Sequence, residues 1–120
     1  MRNLDQKRAQ VALNYIDNVP SDQQKDYGSA AKSLSMMVQT NGLAQTLAFL
    51  KSKAPEKPAY RLLSTQLSDW LNENLRDLEN PGDFLDWIVD QNSGIYRRAS
   101  SEAIEFSIWL RRFVEAQGWE

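Results

Sequence analysis

A chain of 120 residues, 42% hydrophobic and 25% charged, has ordinary globular composition and room for one core, not two. It contains no histidine and no cysteine, which removes the imidazole base, the thiol nucleophile, the disulfide and the ordinary zinc site. Any catalysis would have to run on carboxylates, lysines, hydroxyls or a hard cation.

Apolar residues recur at three- and four-residue steps, and no stretch alternates as a strand would. The first helix carries Leu4, Val11, Tyr15 and Val19 on one stripe, with Asn3 as N-cap, Gln6 three residues on, and Pro20-Ser21 as its end. The second puts Tyr27, Ala31, Leu34 and Val38 on a face and stops at Asn41-Gly42, residues that tolerate left-handed backbone. A third, with Leu43, Leu47 and Leu50, breaks before Pro55. The fourth follows Tyr60, Leu63, Leu67, Trp70, Leu71 and Leu78, with Pro58 suited to its first turn. Asn80-Pro81-Gly82-Asp83 reads as a new start, with Pro81 at the first helical position. The fifth helix that follows should bury Phe84, Leu85, Ile88 and Val89 and end near Asn92-Ser93-Gly94. The sixth runs from about Tyr96 to Ala116, with Ala99, Ala103, Phe106, Leu110 and Phe113 on its core stripe. The expectation is an all-α, single-domain antiparallel bundle of about six helices over residues 1–120.

The net charge of −2 argues, taken globally, against nucleic acid, but it conceals an asymmetry. Residues 69–90 hold seven acidic side chains against Arg76 alone, whereas residues 25–61 hold six basic ones against Asp26 and Glu56. Two electrostatic faces follow from that division. Asp83, Asp86 and Asp90 stand at i, i+3 and i+7, on one face of the fifth helix and opposite its apolar residues. A magnesium site could use such oxygens, but a solvated face or an acidic docking surface is the plainer reading.

On the sixth helix, Arg97, Arg111 and Arg112 fall opposite the core stripe, with Arg98 at the edge of that arc. Arg97 and Arg111 are separated by roughly 21 Å along the axis, a row able to follow several phosphates of one strand. The alternative is solubilising charge paired with Glu105 or Glu115 at short spacing. Ile108 stands among these arginines, where an apolar residue is unexpected. Lys51 and Lys53 close the third helix, where the dipole favours cations whatever the function. Lys25 and Lys32, one heptad apart, either line the same groove or face water. Of the four tryptophans, Trp70, Trp87 and Trp109 default to core and Trp119 to an interface. No Gly-rich phosphate loop, serine elbow or metal-ligand spacing is present. The N-terminal stretch has no apolar h-region and no run is long enough to span a bilayer, so a cytoplasmic protein is expected.

The run Lys32 to Leu43, KSLSMMVQTNGL, continued by AQTLAFLKSK to Lys53, resembles the signature stretch of the small subunit of type III-B CRISPR effector (Cmr) complexes. Leu4-Asp-Gln-Lys-Arg-Ala9 near the start, and Tyr96-Arg-Arg-Ala99, Glu102-Ala103 and Trp109-Leu-Arg-Arg-Phe113 near the end, are similar to the same family in the same order. Ser35 departs from it, standing where a proline is often expected. The resemblance implies a non-catalytic helical subunit without cofactor, metal, membrane or small-molecule substrate. Several copies would stack as the minor filament beside the large subunit and the backbone subunits. A basic face would help hold guide and target RNA. Carried onto this chain, the matching basic positions are Lys7, Arg8, Lys32, Lys51, Lys53, Arg97, Arg98, Arg111 and Arg112. Asp83, Asp86, Asp90 and Ile108 are the expected protein contacts. The competing class is a helical protein–protein adaptor that never touches nucleic acid, and a metal-dependent nuclease built on the aspartates is the third.

Overall fold

A computed structural model describes residues 3–75 and 82–119. Among the described residues the chain forms six α-helices and one short 3-10 turn: α1 (Leu4–Asp17), the turn Ser21–Gln23, α2 (Gln24–Asn41), α3 (Leu43–Lys53), α4 (Pro58–Leu75), α5 (Phe84–Ile88) and α6 (Ser93–Gln117). The all-α expectation holds. α6 lies against α1 and α2, α3 pairs with α4, and α5 fits between α3 and α4.

α1 begins as its sequence predicts. The Asn3 side chain accepts a bond from the Gln6 amide at 2.8 Å, and the Gln6 side chain accepts one from the Asn3 amide at 3.1 Å. This reciprocal arrangement satisfies two amide donors that a helix start leaves open. The buried stripe of α1 is shifted from the expected one. Ala12 and Ile16 are fully buried, Val11 and Tyr15 partly so, and Leu4 is 44% exposed. On α2, all four expected residues are buried. On α3, Leu43, Leu47 and Leu50 are likewise buried.

Only Gly42 separates α2 from α3, with φ +88° and ψ 158°. That region of backbone space is open in practice to glycine alone. At the far end of α6, Gly118 turns left-handed at φ +76°, and the chain reverses so that Trp119 meets Tyr27 edge to face with ring centroids 6.1 Å apart. Trp119, expected at an interface, is therefore half-buried against the start of α2. The start of α2 thus lies at the end of α6, and Gly42 at the other end of α2 lies near Tyr96 at the start of α6. The two longest-packed helices run antiparallel.

The region of the fifth helix departs most from expectation. Gly82 and Asp83 lie outside the helix, which starts at Phe84 and ends at Ile88. Leu78, Asn80 and Pro81 lie outside the described residues. Val89, expected in the core, is 57% exposed, because the helix has ended before it. Asn92-Ser93-Gly94 opens α6 rather than closing α5: the Asn92 side chain accepts the Ile95 amide at 2.9 Å. A helix-ending signal and a helix-starting one share the same small polar residues, and here the N-cap bond decides. On α6, Ala99, Ala103, Phe106 and Leu110 are buried as expected, with Val114 completing the stripe and Phe113 half-buried.

The middle of the core is aromatic. Trp70 of α4 stacks on Phe106 of α6 at 4.8 Å and 12°, and Tyr15 of α1 meets the same ring edge-on at 5.9 Å. Such contacts add about 1 kcal/mol each beyond area burial. Tyr27 donates its hydroxyl to Gln66 Oε1 at 2.6 Å, giving a buried phenol and a buried amide their partners.

Candidate functional site

Tyr96 links the two segments that carry most of the expected basic residues. Its hydroxyl oxygen accepts the Ala44 amide at 2.8 Å, supplying at the first turn of α3 the cap that Gly42 has no side chain to give. The Thr46 hydroxyl donates to the Gly42 carbonyl at 2.8 Å. The Tyr96 bond ties the start of α6 to the α2–α3 corner. Arg97 and Arg98, the next two residues, are exposed, and neither has an ion pair among the described residues.

The C-terminal part of the arginine row differs. Arg111 Nε lies 3.2 Å from Glu115 Oε2, and Arg112 Nη1 lies 3.2 Å from the other oxygen, Oε1. This is the short-spacing pairing weighed from sequence. The two guanidiniums hold the Glu115 carboxyl below the usual glutamate range, Arg111 contributing most. All three side chains remain substantially exposed, so the pairs are weak and exchangeable. Ile108, 40% exposed, lies on the same arc of α6.

Arg8 has another position. Its Nε and Nη2 donate to the two oxygens of Glu102 at 2.7 Å each, and its side chain is only 14% exposed. Glu102 Oε2 also accepts the Trp70 indole N–H at 2.9 Å. Asp5 pairs with Arg8 at 3.2 Å and accepts the Trp109 indole N–H at 2.9 Å, which lowers its pKa, the indole bond contributing most. The hydrogen bonds to Glu102 raise the Arg8 pKa, outweighing the burial that alone would lower it. Arg8, expected among RNA contacts, is thus engaged inside the fold. The sequence reading missed this group, because its members are spread over α1, α4 and α6.

The expected aspartate face is not a single helical face, since α5 covers neither Asp83 nor Asp90. Asp83 stands at the N-cap position without a side-chain capping bond and pairs with Lys51 Nζ at 2.6 Å, while Asp86 and Asp90 are exposed. Lys51 is thereby held on the acidic side rather than left free. Lys7 and Lys53 are exposed and Lys32 is half-buried. Among the described residues no group of three or more carboxylates is placed to hold a metal ion, and no helix is long and apolar enough to cross a membrane.

The reading also passed over an aromatic pair, Phe49 of α3 and Tyr60 of α4, with ring centroids 6.2 Å apart. Lys53 Nζ lies 5.8 Å from the Phe49 ring and Lys57 Nζ 5.8 Å from the Tyr60 ring. The signal was available in the spacing: Lys53 follows Phe49 by four residues and Lys57 precedes Tyr60 by three.

Fold and surface together define a class: a small all-helical module that presents charged and aromatic surface. Residues 4–117 match the family described as CRISPR-associated protein (Cas_Cmr5). A protein of Thermotoga maritima named CRISPR system Cmr subunit Cmr5 is 33% identical over 119 residues, covering 96% of this chain and 84% of that one. The crystal structure of a CRISPR-associated Cmr5 family protein from Thermus thermophilus has the same fold, with a TM-score of 0.79 at 24% identity over 96% of this chain and 97% of that one. The chain belongs to the CRISPR-associated Cmr5 family.

Proposed function

We propose that this chain is the non-catalytic small subunit of a type III-B CRISPR (Cmr) effector complex, working in several copies beside the other subunits and helping to hold guide and target RNA. Family membership supports the subunit role. The observation that carries the RNA part is the Arg97–Arg98 pair, exposed, without ion pairs among the described residues, and following Tyr96, which bonds to the Gly42 corner. An arginine on a rigid element meets phosphate with less ordering cost than one on a loop. In this reading Lys7, Lys32 and Lys53 contribute further cations. Arg8 does not, since Glu102 encloses it, and Lys51 is paired with Asp83 at the surface.

The test is target RNA retention by the assembled complex as salt is raised. Replacing Arg97 and Arg98 by alanine should weaken retention and reduce the salt slope by about 0.7 to 0.9 per lost phosphate contact. Normal retention with an unchanged slope would remove RNA binding from this face.

A protein-only adaptor has one observation in its favour: Ile108 is exposed on the arc where Arg111 and Arg112 are taken up by Glu115. That half of α6 suits a protein contact. Recovery of the chain with protein partners and no RNA would establish this reading instead.

A further inference from the structure

The α3–α4 corner carries an aromatic pair that the core leaves partly outside. α3 buries Leu43, Thr46, Leu47 and Leu50, and Phe49 stands off that stripe, 40% exposed. Its neighbour Tyr60 is half-buried and packed against the core, so one ring of the pair is fixed and the other is presented. Cations border both rings. Lys53 lies over Phe49 and Lys57 over Tyr60, each at 5.8 Å, and the exposed Arg61 is the next residue after Tyr60 on α4. Lys57 has a loose partner in Asp26 at 3.7 Å, whereas Lys53 and Arg61 have no carboxylate partner among the described residues.

We propose that this corner is a stacking platform for unpaired nucleotides of RNA, with a base laid on the Phe49 ring and its flanking phosphates met by Lys53 and Arg61. The chemistry is specific to a ligand that alternates flat rings with negative charge. An aliphatic partner would use Phe49 but leave the cations idle. Base-paired RNA would satisfy the cations but hide its ring faces in the helical stack. The inference rests on the RNA-holding reading and adds to it a second, chemically different contact for single-stranded segments.

The experiment uses the full chain with fluorescently labelled oligouridine and, separately, a blunt RNA duplex, followed by anisotropy across a salt series. Wild type should bind the single strand more tightly than the duplex. Phe49→Ala should weaken oligouridine binding roughly 5- to 100-fold, leaving the salt slope and duplex binding unchanged. Phe49→Tyr should restore it. Lys53→Gln and Arg61→Gln should instead reduce the slope. If Phe49→Ala loses its helical circular dichroism, Phe49→Leu, which keeps contact with Tyr60, decides by the same criterion. Unchanged binding in these Phe49 variants, with Arg97 and Arg98 still required, overturns the platform and leaves the RNA-holding reading standing. If Phe49→Ala releases another subunit while RNA binding is intact, the corner is a protein interface and the inference falls. Absence of RNA binding by both the free chain and the assembled complex overturns the two readings together.

Discussion

Arg8 and Glu102 lie 94 residues apart and are joined by two hydrogen bonds of 2.7 Å. The pair ties α1 to α6, and the Trp70 indole bonded to Glu102 brings in α4. A charge so enclosed is tolerated only while every oxygen and nitrogen has a partner.

Breaking one side of the pair should therefore cost more than an exposed ion pair would. Glu102→Gln is expected to lower the unfolding free energy by about 3 kcal/mol, read from the urea midpoint. Arg8→Ala should show a loss of similar size. A midpoint within about 0.5 kcal/mol of wild type in both would mean that the pair is only incidental.

The Gly42 corner gives a second prediction. Gly42→Ala should destabilise by about 1 to 3 kcal/mol through its positive φ, since an added Cβ would meet only the Tyr96 hydroxyl oxygen at an ordinary 3.5 Å. Tyr96→Phe should cost about 1 kcal/mol, the value of one lost cap. It should also loosen the start of α6, and amide exchange at Ala44 is the direct readout. Unaltered exchange there would detach Tyr96 from the placement of Arg97 and Arg98.

Two groups make stability depend on pH in opposite regions. Burial, helped by Asp69 and Glu73, pushes the Tyr15 phenol up to about 12 from an ordinary 10. A raised folded pKa gives stability that is complete below pH 10 and lost as pH rises through 12. Tyr15→Phe keeps the ring contact with Phe106 and should flatten that alkaline decline.

Asp69 is also raised, by burial first and Glu73 second. Its carboxylate opposes folding once ionised, so its favourable contribution is present below the ordinary 3.8 and lost above the raised value. Asp69→Asn should therefore stabilise the protein at pH 7, with the gain vanishing as pH falls below 3.8. Equal gains at both pH values would contradict a titration origin.

Assembly can be tested on the acidic side without disturbing the monomer. Asp83 holds Lys51, so its reversal would set two cations together within the subunit. Asp86→Lys combined with Asp90→Lys avoids this. The double variant should fold normally and fail to join the complex in reconstitution, because like charge across an interface is costly. Normal incorporation would show that these carboxylates serve solubility alone.

Much of this was legible along the chain because it is local. The capping box at Asn3, the break at Gly42, the buried face of α2 and the core stripe of α6 each depend on residues within one or two turns, where period and capping chemistry act directly. Where local signals were ambiguous, the sequence misled. Asn92-Ser93-Gly94 suits either end of a helix, and the expected face of Asp83, Asp86 and Asp90 assumed a helix longer than the five residues of α5.

The absence of histidine and cysteine, the helical class and the split of charge behind a net −2 are properties of composition and period, and the sequence determined them alone. Which cations face water was decided by tertiary structure. Arg8 and Arg97 are the same residue type on helices of similar pattern, yet one is enclosed by Glu102 and the other is exposed. The difference comes from a carboxylate brought near from 94 residues away, and helical periodicity carries no information at that separation.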